Sequence, residues 1–153
     1  MKTRQKGTAI VEFALILPLL LMLTMITTEF GRAIYQYNTI VKSLRNATRY
    51  LSLQTPITDT KITEAQNLVV FGNIAGTGPA LVLGLTLAQV ATPTWQTFGS
   101  APLINTVTIT VTCYKFRPLL TSVFGVTFSS DITCDGISGI RYANISATMR
   151  SPL

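Results

Sequence analysis

Polar and apolar positions divide this chain into stretches of different period. Met1 to Gly7 is short and basic, with Lys2, Arg4 and Lys6, and is followed by Thr8 to Thr28, apolar but for one charge, Glu12. As a helix those residues span about 31 Å, the thickness of a bilayer's hydrocarbon core. Pro18 falls inside the run and is expected to kink or loosen the helix there. Beyond it, apolar residues recur in steps of three or four at Phe30, Ile34, Tyr37, Val41, Leu44, Ala47 and Leu51. That spacing predicts that the helix continues with one buried stripe and ends before Pro56. A second helix is expected between a cap at Thr58 or Thr60 and a stop at Gly72. Gly76, Gly78 and Pro79 then mark a loop.

The remaining pattern has a period of two. Val107, Ile109, Val111 and Cys113 alternate with Thr106, Thr108, Thr110 and Thr112, predicting a strand with Cys113 on its apolar face. Pro118 should end the extended segment that follows. Ile145, Ala147 and Met149 alternate in the same way and predict a final strand, whereas Leu81 to Leu87, broken by Gly84, fit a strand or a short helix. The fold class is therefore α+β: a long N-terminal helix, membrane-spanning in its first half, packed on a small antiparallel β-sheet head. The expected divisions are a leader (1–7), a transmembrane helix (8–28), its extramembrane continuation (29–53) and an α+β head (54–153).

Composition narrows the chemistry. Charged residues are only 12% of the chain, about half the usual share, and the apolar excess lies mostly before residue 30. The net charge of +6 includes three leader cations. Without the leader, nine basic and six acidic residues remain, which is an ordinary surface and no nucleic-acid platform. Lys42, Arg45 and Arg49 share a helix face that reads as solvated. The chain has no histidine, which excludes Ser-His-Asp and Cys-His sites, and two cysteines do not make a zinc site. Gly76-Thr77-Gly78 lacks the remainder of a phosphate loop. No catalysis, metal or cofactor is expected.

Three readings compete for the N-terminal segment. A secretory signal peptide would use the basic leader, but no A-x-A-like site follows the apolar run. A plain anchor explains the length without explaining Glu12, whose burial in lipid costs roughly 2.5–3.5 kcal/mol or more unless it finds a partner. Arg32, Lys42 and Arg45 nearly balance the leader, so charge bias does not fix the orientation. The third reading comes from Lys6-Gly7-Thr8-Ala9-Ile10-Val11-Glu12-Phe13, which resembles the processing site of type IV pilin-like proteins. The resemblance implies cleavage after Gly7 by a prepilin peptidase, with Thr8 as the mature N-terminus and Glu12 as its fifth residue. Glu12 could then pair with the α-amine of a neighbouring subunit and set the register between helices.

Glu12-Phe13-Ala14, Leu17-Pro18-Leu19-Leu20, Glu29-Phe30-Gly31-Arg32, Tyr35 and Ala47-Thr48-Arg49-Tyr50 sharpen this. Together they are similar to the N-terminal signature of TadE-like proteins, minor pilins or pseudopilins of the Tad (tight adherence) system that builds Flp pili. Thr48 departs from the alanine usual in that pattern, and Thr8 from the phenylalanine that begins many mature pilins. The resemblance implies processing at Gly7 and Thr8, and assembly through Glu12 and Phe13. It further implies a single-pass protein of the bacterial inner membrane with a cytoplasmic N-terminus and an extracytoplasmic head. Its partners would be the prepilin peptidase, other minor pilins, the major Flp pilin, the inner-membrane platform and membrane lipid, with no nucleic acid. The alternatives are a type II secretion pseudopilin, sharing Gly7 and Glu12, or a membrane-anchored binding domain that never polymerises. Under the implied topology Cys113 and Cys134 face an oxidising compartment, where an even count favours a disulfide.

Overall fold

A computed structural model describes residues 6–54, 58–119, 122–123, 126–127 and 140–151. The chain forms two compact units, Met1–Tyr35 and Gln36–Leu153. Helix α1 (Lys6–Ser52) contributes to both.

In the first unit α1 is rich in Leu, Ile, Met and Ala, which keep the helix free of competing polar groups. Its hydroxyls are satisfied locally: Thr24 donates to the Leu21 carbonyl, Thr27 to Leu23 and Thr28 to Thr24, each at 2.8 Å. These bonds let three polar side chains sit in an apolar run without water. The helix continues through Pro18, which has no N–H to offer the carbonyl of Ala14. Apolar side chains stand open all along this stretch, Ile10 at 69%, Leu15 at 76% and Leu23 at 66% exposure. The helix is long and apolar enough to cross a membrane, and none of its most apolar window is buried within the chain. It has the length and surface of a single-pass membrane anchor.

The second unit is the α+β head. From α1 it buries Ile40, Leu44, Ala47, Thr48 and Leu51, all at 0% exposure. The expected stripe thus begins later than its periodicity implied. Phe30, Ile34 and Tyr37 are exposed, at 67%, 46% and 43%. A helical period shows which residues share a face, not how far a partner surface extends along it. Lys42, Arg45 and Arg49 are exposed, as a solvated face should be.

Helix α2 (Asp59–Phe71) starts at Thr58, whose side chain accepts the Lys61 N–H, and stops at Gly72 in the left-handed conformation, φ 75°. The Gly72 N–H donates to the Leu68 carbonyl, closing the helix in an αL cap. Ala65, Val69 and Val70 face the core. Lys61 and Glu64, one turn apart, meet Tyr50 of α1: Lys61 Nζ lies 2.9 Å from Glu64 Oε2 and 3.1 Å from Tyr50 Oη, and the Tyr50 hydroxyl donates to Glu64.

Leu81 to Leu87 form no strand. Val82 and Leu85 are buried while Leu81, Leu83 and Leu87 are exposed, a spacing of three rather than two, and Gly84 turns the chain with φ 84°. A short 3-10 helix (Leu87–Gln89) follows, and Val90 then bridges Val111.

The sheet has the order β1-β2-β7, all antiparallel, from β1 (Thr94–Phe98), β2 (Ile104–Val111) and β7 (Ile145–Ser151). Val107, Ile109 and Val111 of β2 are buried, as their alternation required, and Thr108 pairs with Thr148 across the opposite face. Neither β1 nor its position at the sheet edge was anticipated, because Thr94–Phe98 has no apolar/polar alternation. Two-residue ladders join β3 (Lys115–Phe116) to β6 (Ile140–Arg141) and β4 (Ser122–Val123) to β5 (Val126–Thr127). β3 ends before Pro118, which cannot donate to a ladder.

Long-range contacts fasten α1 to β7. The Thr48 hydroxyl donates to the Leu44 carbonyl at 2.7 Å and reaches the Ala147 carbonyl at 3.4 Å. The Ser151 hydroxyl reaches the Ser52 carbonyl.

Candidate functional site

Gly7, Thr8, Glu12 and Phe13 all lie on α1 in the first unit. Gly7 is helical, and nothing lies within 4 Å of where its side chain would be. Glycine is a poor helix former, about 1 kcal/mol below alanine, so the helix opens at low cost here. Thr8 and Glu12 are four residues apart. They therefore share one helix face, about 6 Å apart along the axis.

Glu12 is exposed, and so are its neighbours Val11 at 61% and Phe13 at 64%. Among the described residues no side chain forms an ion pair or hydrogen bond with it, and from Thr8 to Thr28 it is the sole charge. A carboxylate surrounded by open apolar surface is stable in lipid only beside a cation or donor.

At the end of the apolar run the sequence motif Glu29-Phe30-Gly31-Arg32 proves to contain an ion pair. Arg32 Nη1 donates to both carboxylate oxygens of Glu29, at 2.8 and 2.9 Å. The spacing of three residues on a helix was the available signal. Pairing lowers the cost of placing both charges next to an apolar segment.

In the head, Cys113 is disulfide-bonded. It is not on the apolar face of the strand: β2 ends at Val111, and Cys113 takes a left-handed φ of 58°. The positive φ turns the chain out of the pleat, so the period of two stops two residues earlier than its residue types imply. Cys134 is the other cysteine of the chain and lies outside the described residues. Next to Cys113, Tyr114 is 2% exposed and donates its hydroxyl to Gln36 Oε1 at 2.9 Å, with the Leu83 carbonyl 3.1 Å away. Its ring stacks on Tyr142 at 5.7 Å and 2°, and Tyr142 meets Tyr37 at 5.7 Å and 47°. Burial pushes the Tyr142 phenol above its ordinary pKa.

A groove of about 530 Å³ runs between Tyr37, Val41 and Arg45 of α1 and residues 144–149. Among the described residues no three Cys, Asp or Glu side chains converge as metal ligands.

Residues 7–49 match the family model described as TadE-like protein. The match takes in Gly7, Thr8, Glu12, Phe13 and the Glu29–Arg32 pair and stops within α1, so it covers under a third of the chain and none of the sheet. No curated protein and no solved structure matches the chain.

Proposed function

We propose that this chain is a minor pilin or pseudopilin of a Tad system, cleaved after Gly7 by a prepilin peptidase and taking part in assembly of Flp-type pili for adherence. The observation that carries this reading is the TadE-like match, which begins at Gly7 and includes Glu12 on a helix with an open apolar surface. Cleavage makes the Thr8 amine a cation. Glu12 of one subunit accepts that amine from a neighbour, and each ion relieves the other's cost in an apolar setting. The same pair fixes the axial register between helices, while Phe13 and the other exposed side chains supply the packing surface. In this reading the N-terminus starts in the cytoplasm and the head lies outside the inner membrane. The partners are the peptidase, other minor pilins, the major Flp pilin and the assembly platform.

A type II secretion pseudopilin would share Gly7 and Glu12, but the match favours the Tad system over it. A membrane-anchored domain that never polymerises would leave Glu12 without a partner.

Mass spectrometry of the mature N-terminus tests the first step: the expected chain starts at Thr8, and an intact Met1–Gly7 leader in cells with active peptidase refutes the reading. Glu12→Ala tests the second. That variant is expected to be cleaved normally yet absent from pili, and wild-type pilus formation would refute the pairing role.

A further inference from the structure

All six residues from Asn144 to Met149 line the groove between α1 and β7. Side chains along a strand alternate between its two faces, so six in a row border one groove only where the main-chain edge itself is the wall. Among the described residues β7 pairs with β2 alone, and no backbone bond joins its other side to the rest of the chain. An edge with unmade ladder bonds is a template for a further strand. The facing wall is a helix, whose N–H and C=O groups bond to one another, so α1 cannot complete the ladder. The two elements touch through hydroxyls instead. Thr48 reaches the Ala147 carbonyl and Ser151 the Ser52 carbonyl, both on the C-terminal side of Arg45 along α1.

The helix wall brings positive charge. Arg45 lines the groove with Tyr37 and Val41, and Lys42 and Arg49 stand within about one turn of it on the same face of α1. All three cations are exposed, and among the described residues none of them forms an ion pair. No acidic side chain lines the groove. Arg45 and Arg49 are about 6 Å apart along the helix axis, and alternate residues of an extended chain are about 6.6 Å apart. Carboxylates two positions apart on one face of a strand therefore match them. The chain's own described acids do not meet that requirement, since Glu12 and Glu29 lie on α1, and Asp59 and Glu64 on α2.

We infer that the groove receives an extended acidic segment of another protein, which adds a strand to β7 while its carboxylates, two residues apart, face Arg45 and Arg49. In strand addition at a sheet edge, main-chain hydrogen bonds supply affinity and side-chain contacts supply choice. Exposed ion pairs contribute only about 0–1 kcal/mol each, so the cations select an acidic segment and steer its approach, while the ladder holds it. Tyr37 and Val41 offer apolar surface to the side chains beside the carboxylates. The groove lies wholly within the head, and this binding is independent of processing at Gly7.

Fluorescence anisotropy with the full chain in detergent tests this, the probe being a labelled, end-capped peptide of alternating Glu and Val. The probe is expected to bind, and its counterpart with Lys in place of Glu is not. Arg45→Gln, at an exposed position, is expected to weaken binding about five- to tenfold. Arg150→Gln removes an equal charge from outside the groove and is expected to leave binding unchanged. Two probes methylated on alternate backbone nitrogens, one at Glu and one at Val, separate the ladder from the charge. One of them is expected to lose binding with its carboxylates intact. No binding of the Glu probe, equal binding of the Lys peptide, equal effects of the two arginine variants, or full binding by both methylated probes would refute the proposal. So would self-association of the chain, or attachment to vesicles of anionic phospholipid, that Arg45→Gln abolishes while the Glu probe fails to compete.

Discussion

Tyr114 donates its hydroxyl from within the head and is held between Gln36, the Leu83 carbonyl and the ring of Tyr142. Tyr114→Phe keeps the stack and leaves two part-buried acceptors without their donor, so it should destabilise the head by about 1 kcal/mol in urea unfolding. A second residue-scale effect depends on pH. Hydrogen bonds from Tyr50 and then Lys61 hold the Glu64 carboxyl below its ordinary 4.5, and Lys61 is held above its ordinary 10.5 by Glu64 first and Tyr50 second. A lowered carboxyl pKa contributes stability that is present above the unfolded value and lost as pH falls through the folded one. A raised ammonium contributes below its unfolded value and loses that contribution as pH rises through the folded one. The pair's contribution is thus level across neutral pH and declines only outside it. Glu64→Gln should flatten the acid limb of unfolding free energy against pH, and an unchanged limb would refute this role for Glu64.

At the scale of elements, α2 shows how local chemistry and packing cooperate. Thr58 caps its start, Gly72 its end, and Ala65, Val69 and Val70 bind it to the core. The stop at Gly72 was legible beforehand and the start was narrowed to Thr58 or Thr60, because a capping hydroxyl and a left-handed glycine act through neighbouring residues. Thr58→Ala should cost the head about 1 kcal/mol, measurable as a lower urea midpoint with unchanged slope. The strands divide differently. β2 and β7 alternate because one face is buried, and their buried faces were read for that reason, β2 only as far as Val111. β1 is exposed on both faces, so nothing imposed a period on it.

At the scale of the molecule, the two units answer to different solvents. Met1–Tyr35 exposes apolar side chains whose setting is lipid or another apolar helix, whereas Gln36–Leu153 buries a core of its own. The head is small for its surface, and a cross-link helps such a domain. Cys113 is disulfide-bonded, and the chain's other cysteine is 21 positions on. Reduction should therefore lower head stability by about 3 kcal/mol, seen as a lower melting temperature of the detergent-extracted protein with reductant than without. The candidate site follows the same division. The spacing of Gly7 and Glu12 along one helix is visible in the sequence, whereas the Glu29–Arg32 ion pair, the backbone turn at Cys113 and the depth of Tyr114 were not read from it.

The sequence by itself determined the length of the apolar helix, the glycine-to-glutamate spacing, the limits of α2 and the faces of β2 and β7. Each depends on residues within a turn or two, or on strict alternation, where local sterics and the burial of one face dominate. Only the tertiary structure decided that the buried stripe of α1 begins at Ile40, that Cys113 leaves the strand and that, among the described residues, β1 pairs with β2 alone. It alone joined Thr48 to Ala147 and Ser151 to Ser52, pairs 99 residues apart. The physical reason is that periodicity specifies which residues look the same way, while the surface they meet is supplied by chain far away.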